Sequence, residues 1–250
     1  MNRQRTIVLG LLVVAFLRLG APAGATEGEE GLTRGARFAG PSSVPSQLVE
    51  DTAPVAPVFR ADSLRRALKP YYDWKDCLQK RAGLHLAGDY TILYQHLTEG
   101  PGKRDAAGGI ARVYGTWDLV NRGGSNTGSL IFKGENRHAM TDVAPLDLGF
   151  ETGYVGVTGP PFSDIRWALT NFYWRQRLLG DRVSVIAGVV DPTDYLDVYG
   201  LINPWTSFQN LAFLTSPSIP VPNQGLGFAA SAMLSDHLYA VAGIADANGD

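Results

Sequence analysis

Paired thiols are missing from this chain, in which one cysteine, Cys77, stands among 250 residues. An internal disulfide and a zinc centre built on thiols are thereby excluded, and a small packed residue is the plain expectation for such a free thiol. An excess of one charge is missing too. Lys and Arg number 22 against 24 Asp and Glu, a formal net charge of −2, which offers nucleic acid no attractive field. The four histidines, His85, His96, His138 and His237, have no metal-ligand spacing, and no GxSxG joins a strand to a helix. Acidic residues are scattered without nominating a glycosidase pair. The chain therefore reads as a non-enzyme with no metal and no cofactor. Long apolar runs are absent after residue 25, so a mature protein that enters a membrane must cross it with strands closed into a barrel.

What is present is a chain with 45% hydrophobic residues, 10% aromatic, 18% charged and 29 Gly. That is too apolar for disorder and too rich in Gly and aromatics for a helical bundle. Residues 1–25 place Arg3 and Arg5 ahead of an apolar run from Ile7 to Leu17, then Ala23-Gly24-Ala25. This is the order of a cleavable secretory segment, with cleavage expected after Ala25. Arg18 ends the run short of the roughly 20 residues a spanning helix needs. Residues 26–72 read as a flexible leader rich in Gly, Pro and Ser. Residues 61–80 leave room for a short helix that Pro70 is expected to interrupt.

From Arg81 onward, short alternating stretches separated by Gly, Asn, Asp and Pro predict successive antiparallel strands. Leu84, Leu86, Tyr90, Ile92 and Tyr94 share one face opposite His85, Asp89, Thr91 and Gln95. Ala111, Val113, Trp117 and Leu119 oppose Arg112, Tyr114, Thr116 and Asp118, and Leu130 and Phe132 oppose Ser129, Lys133 and Glu135. Further strands are expected at 147–157, 164–178, 182–190, 225–235 and 237–245, with the alternation slipping near Thr170 to Tyr173. A soluble sandwich also alternates. Strands near the roughly 9–11 residues that cross a bilayer, girdle-like aromatics at Tyr90, Tyr94, Trp117, Trp167 and Trp174, and the export segment favour a membrane barrel. Trp117, Leu119, Leu130 and Phe132 are then expected to face lipid.

The order of segments resembles the carbohydrate-selective porins of the OprB type. The resemblance runs from near Asp73 to the end and rests on AGLHLAGDYT, Tyr114-Gly-Thr-Trp-Asp-Leu119, the aromatic stretch from Asn171 to Gly200, Asn-Pro-Trp at 203–205, FQN at 208–210, the passage from Ser216 to Phe228, and GIADANGD. It implies an all-β, antiparallel transmembrane β-barrel of the outer membrane of a Gram-negative bacterium, over residues 73–250, passing mono- or oligosaccharides. Outer-membrane lipid would be its other partner, with homo-oligomers open. The chain is expected to cover roughly the first half of the strands. The alternatives are a small barrel without a channel, whose lumen side chains would fill, a secreted soluble β-rich glycan-binding protein, and an enzyme on a barrel.

A sugar channel needs polar groups that replace hydration and aromatic faces that pack on pyranose rings. The long break from Asp191 to Asn223 carries Asp191, Asp194, Tyr195, Asp197, Tyr199, Asn203, Trp205, Gln209 and Asn210. Loops of that length tend to be functional or disordered. It is expected to fold into the lumen as the constriction, or else to stand outside as a solvated loop. Arg112, Lys133, Glu135 and Arg166 are wall candidates by strand parity.

Overall fold

The computed structural model describes residues 36–52, 62–151, 153, 156–196, 209–214 and 223–246. The expected export segment lies outside them. Helices α1 (Val44–Thr52) and α2 (Asp62–Ala82) precede strands β1 (Leu84–His96), β2 (Asp105–Val120) and β3 (Gly128–Ala139). A 3₁₀ turn at Pro145–Asp147 runs into the one-turn helix α3 (Leu148–Glu151). Then come β4 (Arg166–Leu178), β5 (Val183–Val190), a 3₁₀ turn at Pro192–Asp194, the one-turn helix α4 (Leu211–Leu214), β6 (Gly225–Met233) and β7 (Tyr239–Ala245).

The seven strands form one antiparallel sheet in chain order, β1 to β7, each paired with its sequence neighbours. The fold is therefore all-β and antiparallel, as the alternation predicts. The sheet is not closed among the described residues, since β1 and β7 do not pair with each other. No described helix is long and apolar enough to cross a membrane.

Three expectations need correction. The strand expected at 147–157 is replaced at its start by the 3₁₀ turn and α3. Pro145, in the first turn, fixes φ, and Leu148 and Gly149 are buried there with the Gly149 α-carbon against the Gly156 carbonyl, where a Cβ would not fit. Helix α2 continues through Pro70. The proline removes one backbone donor from an exposed stretch of the helix, and Lys69 and Asp73 pair at 2.6 Å across it. Cys77 is exposed rather than packed, because most of α2 stands clear of the sheet and Gly83 hands the chain into β1 only at its end.

The slip near Thr170 is a β-bulge. Lys133 pairs with Asn171 but Gly134 pairs with Leu169, leaving Thr170 as the extra residue. One residue is enough to change which side chains of β4 face inward. Beyond it, Asn171, Tyr173, Arg175 and Arg177 are buried while Phe172 and Leu178 are exposed. Residues 179–182 connect β4 to β5 with positive φ at Leu179, Gly180 and Asp181 (53°, 66° and 67°). Glycine adopts that conformation without strain.

The leader holds an ordered, buried helix. Ser43 caps α1, accepting a bond from Ser46 N at 3.3 Å, and Pro45 sits in the first turn, where its missing N–H is not needed. Val44 and Leu48, one turn apart, enter a core with Ala87, Tyr114, Ile131, Tyr173, Ile186 and Val190. These sheet residues come from β1 to β5, so α1 lies across one face of the sheet, hereafter the inner face.

Candidate functional site: the polar inner wall

The inner face carries the charged residues. From β1 to β3, register puts Asp89 beside Arg112 and Arg112 beside Glu135. Arg112 Nε and Nη2 donate to the two oxygens of Asp89 at 2.8 and 2.7 Å, a bidentate pair, and the guanidinium lies 5.8 Å from the Tyr114 ring centre. Tyr114 Oη adds a 3.3 Å bond to Asp89. Glu135, 1% exposed, accepts from Arg137 Nε at 2.7 Å and has Lys133 Nζ at 3.8 Å. Such charges remain ionised inside a fold only when partners compensate them, and this row alternates sign across the strands.

A second row continues through β4. Asn171 Nδ2 donates to Asp194 Oδ2 at 3.1 Å, and the Tyr173 and Tyr195 hydroxyls meet at 2.6 Å. Arg177 Nη2 donates to Thr127 Oγ1 at 2.7 Å. The turn after β5 supplies the acids. Asp191 caps it by accepting from Thr193 N at 3.0 Å and from Gln224 Nε2 at 2.7 Å. Asp194, 1% exposed, accepts from Ser42 Oγ at 3.3 Å, and its carbonyl accepts from Gly40 N at 2.7 Å. Burial pushes the Asp194 carboxyl up to about 6, with Asp191 adding to the rise while Lys133 and the donors Asn171 and Ser42 oppose it. Burial likewise raises the Tyr195 phenol.

Of the expected wall residues, Arg112, Lys133 and Glu135 are brought together on the inner face. Arg166 is not. It opens β4 with φ of +63°, its side chain 76% exposed and 3.7 Å from Asp164, because parity has no hold on a side chain at a strand end. Asp191, Asp194 and Tyr195 of the expected loop join the cluster. Asp197, Tyr199, Asn203 and Trp205 lie outside the described residues. Farther along, Gln209 O accepts from Gly159 N at 2.7 Å, Asn210 bridges Thr158, and Thr158 Oγ1 donates to Gln95 at 3.1 Å. The connection from β5 to β6 therefore reaches a segment tied to β1, four strands away.

Parity read straight through Thr170 misses Asn171, Tyr173, Arg175 and Arg177. Restarting the count after the slip would have found them. Ser42 had no sequence signal. No group of three or more His, Cys, Asp or Glu side chains among the described residues is placed to hold a metal.

The outer face is the reverse. Tyr90, Ile92, Tyr94, Val113, Trp117, Leu119, Trp167, Leu169, Phe172, Leu226, Phe228 and Ile244 are all exposed, Trp167 by 76% and Leu226 by 67%. Phe132 and Trp174 cover cross-strand glycines: a Cβ on Gly115 would stand 2.6 Å from Phe132, and one on Gly128 2.5 Å from Trp174. No family model, curated protein or solved structure matches the chain, so its chemistry is argued from this geometry.

Proposed function

We propose that this sheet is wall of an antiparallel transmembrane β-barrel of the outer membrane that lets mono- or oligosaccharides diffuse through, as the resemblance to carbohydrate-selective porins implies. One observation carries the reading. The outer face exposes Trp117, Leu119, Trp167 and Leu226, while the inner face carries, beside the small apolar core under α1, the buried charges and amide of Arg112, Lys133, Glu135 and Asn171. A water-soluble sandwich places its charges on the outside and its large apolar side chains within. A barrel in lipid needs the opposite, since a basic residue on the lipid face costs about 2–4 kcal/mol at the midplane. The proposal also requires the edges of β1 and β7, not paired with each other among the described residues, to be closed in the membrane.

On this reading the inner wall exchanges hydrogen bonds with sugar hydroxyls. The Asp89 carboxylate, its side chain 32% exposed, accepts from them, while Arg112, Glu135 and Asn171, buried and paired within the protein, hold the wall in shape. No bond is made or broken. The protein should fractionate with outer membranes, resist extraction by high salt, and render liposomes permeable to glucose and maltose. A protein recovered in the soluble fraction would overturn the reading in favour of a secreted glycan binder.

A further inference from the structure

The residues from Ala36 to Thr52 cross the inner face from one side to the other. Phe38 meets Tyr239 of β7 edge-on, ring centres 5.5 Å apart. Gly40 and Ser42 are fastened to Asp194 by the two bonds described above. Val44 and Leu48, 0% and 2% exposed, then sit among Ala87, Tyr114 and Ile131 of β1, β2 and β3. Beyond them Asp51 pairs with Lys75, tying the end of α1 to α2. The span is held by the core packing of Val44 and Leu48, the Phe38–Tyr239 ring edge, the bonds to Asp194 and the Asp51–Lys75 pair.

The place it occupies is the face that, in the proposed channel, a sugar would have to pass. A helix with its side chains is roughly 10–12 Å across, a large part of the interior of any barrel narrow enough to select sugars. It also supplies polar chemistry there. Gln47 is 4% exposed, and neither its amide oxygen nor its amide nitrogen is hydrogen-bonded to another protein group. The Asp194 carboxylate that anchors the span also takes the Asn171 amide of the wall.

We propose that residues 36–52 form an internal plug of the channel, packed on the β1–β5 wall, narrowing the sugar path left beside α1 and setting the size of solute that passes. This rests on the porin reading. It moves the principal constriction from the loop after Asp191 to the leader, and makes that loop, through Asp194, the plug's anchor.

Planar-bilayer recordings on the full chain test it with two variants. The first deletes residues 36–52 and should raise single-channel conductance by roughly twofold or more, in keeping with the section a helix fills, while admitting longer maltooligosaccharides. The second is Leu48→Cys on a Cys77→Ser background, which keeps the plug. Its thiol should react slowly with a charged methanethiosulfonate, and each reaction should step the conductance. Channels whose conductance is unchanged by both deletion and thiol modification overturn the plug and leave the porin reading standing. If the deleted protein does not insert, the thiol decides: fast modification without a conductance step overturns the plug. A parent protein that forms no channel overturns both.

Discussion

Glu135 shows at the scale of one residue how the inner wall is balanced. It lies between Lys133 and Arg137 with 1% of its surface exposed, so Glu135→Ala removes the one acid that pairs both cations. Breaking a buried pair by taking one partner costs about 3–5 kcal/mol, and a fall of that size in the urea-unfolding free energy is expected. A loss under about 1 kcal/mol, the level of an exposed pair, would mean that this face is open to bulk water. Asp194 has a pH signature instead. Its carboxyl rises from 3.8 to about 6 on folding, so between those values the folded chain holds more protons than the unfolded one. The stabilising contribution is complete below the lower value, declines as pH rises, and is gone above the higher. Asp194→Asn, which cannot ionise, should therefore be more stable than the parent near about pH 7.5 and lose that advantage near about pH 4. A parent more stable than the variant at the higher pH would show that the charged carboxylate is favoured by Lys133, Asn171 and Ser42 more than burial opposes it.

At the scale of elements, strands β1 to β3 were legible because their alternation is unbroken, and Arg112, Lys133 and Glu135 came with them. Strand β4 was only half legible, since the bulge at Thr170 reverses the face of every residue after it and hid Asn171, Tyr173 and Arg175. The segment at 147–157 has the Gly and aromatic composition of the true strands, yet Pro145 starts a helical turn and the Gly149 crossing needs a residue without a Cβ. Helix α1 was illegible for a different reason: its apolar stripe is only Val44, Leu48 and Val49, set in Pro- and Ser-rich sequence. Deleting Thr170 tests the bulge. The deletion restores regular pairing at the cost of turning either the residues before it or those after it to the wrong face, which a sheet with one charged and one apolar face does not tolerate. The variant should fail to fold into detergent micelles or vesicles, as judged by circular dichroism and protease resistance. A variant that folds like the parent would show that β4 does not need the bulge. At Gly128, addition of a side chain meets Trp174, so Gly128→Val should cost about 1–3 kcal/mol through overpacking, measured by the same urea titration.

At the scale of the whole molecule, the described residues form a seven-stranded antiparallel meander with buried charges on one face and large apolar side chains exposed on the other, and every functional statement above depends on what the apolar face touches. Trp167 and Trp117 stand exposed on that face, while Trp174 lies partly covered beside them over Gly128. The most direct measurement is therefore tryptophan fluorescence of the protein refolded into vesicles whose lipids carry bromine along the acyl chains, compared with unbrominated vesicles. A face set in hydrocarbon predicts strong quenching that is reduced by Trp167→Phe and further by adding Trp117→Phe. Emission unchanged by brominated lipid, together with strong quenching by aqueous iodide, would mean that these side chains face water and would contradict the membrane-wall account.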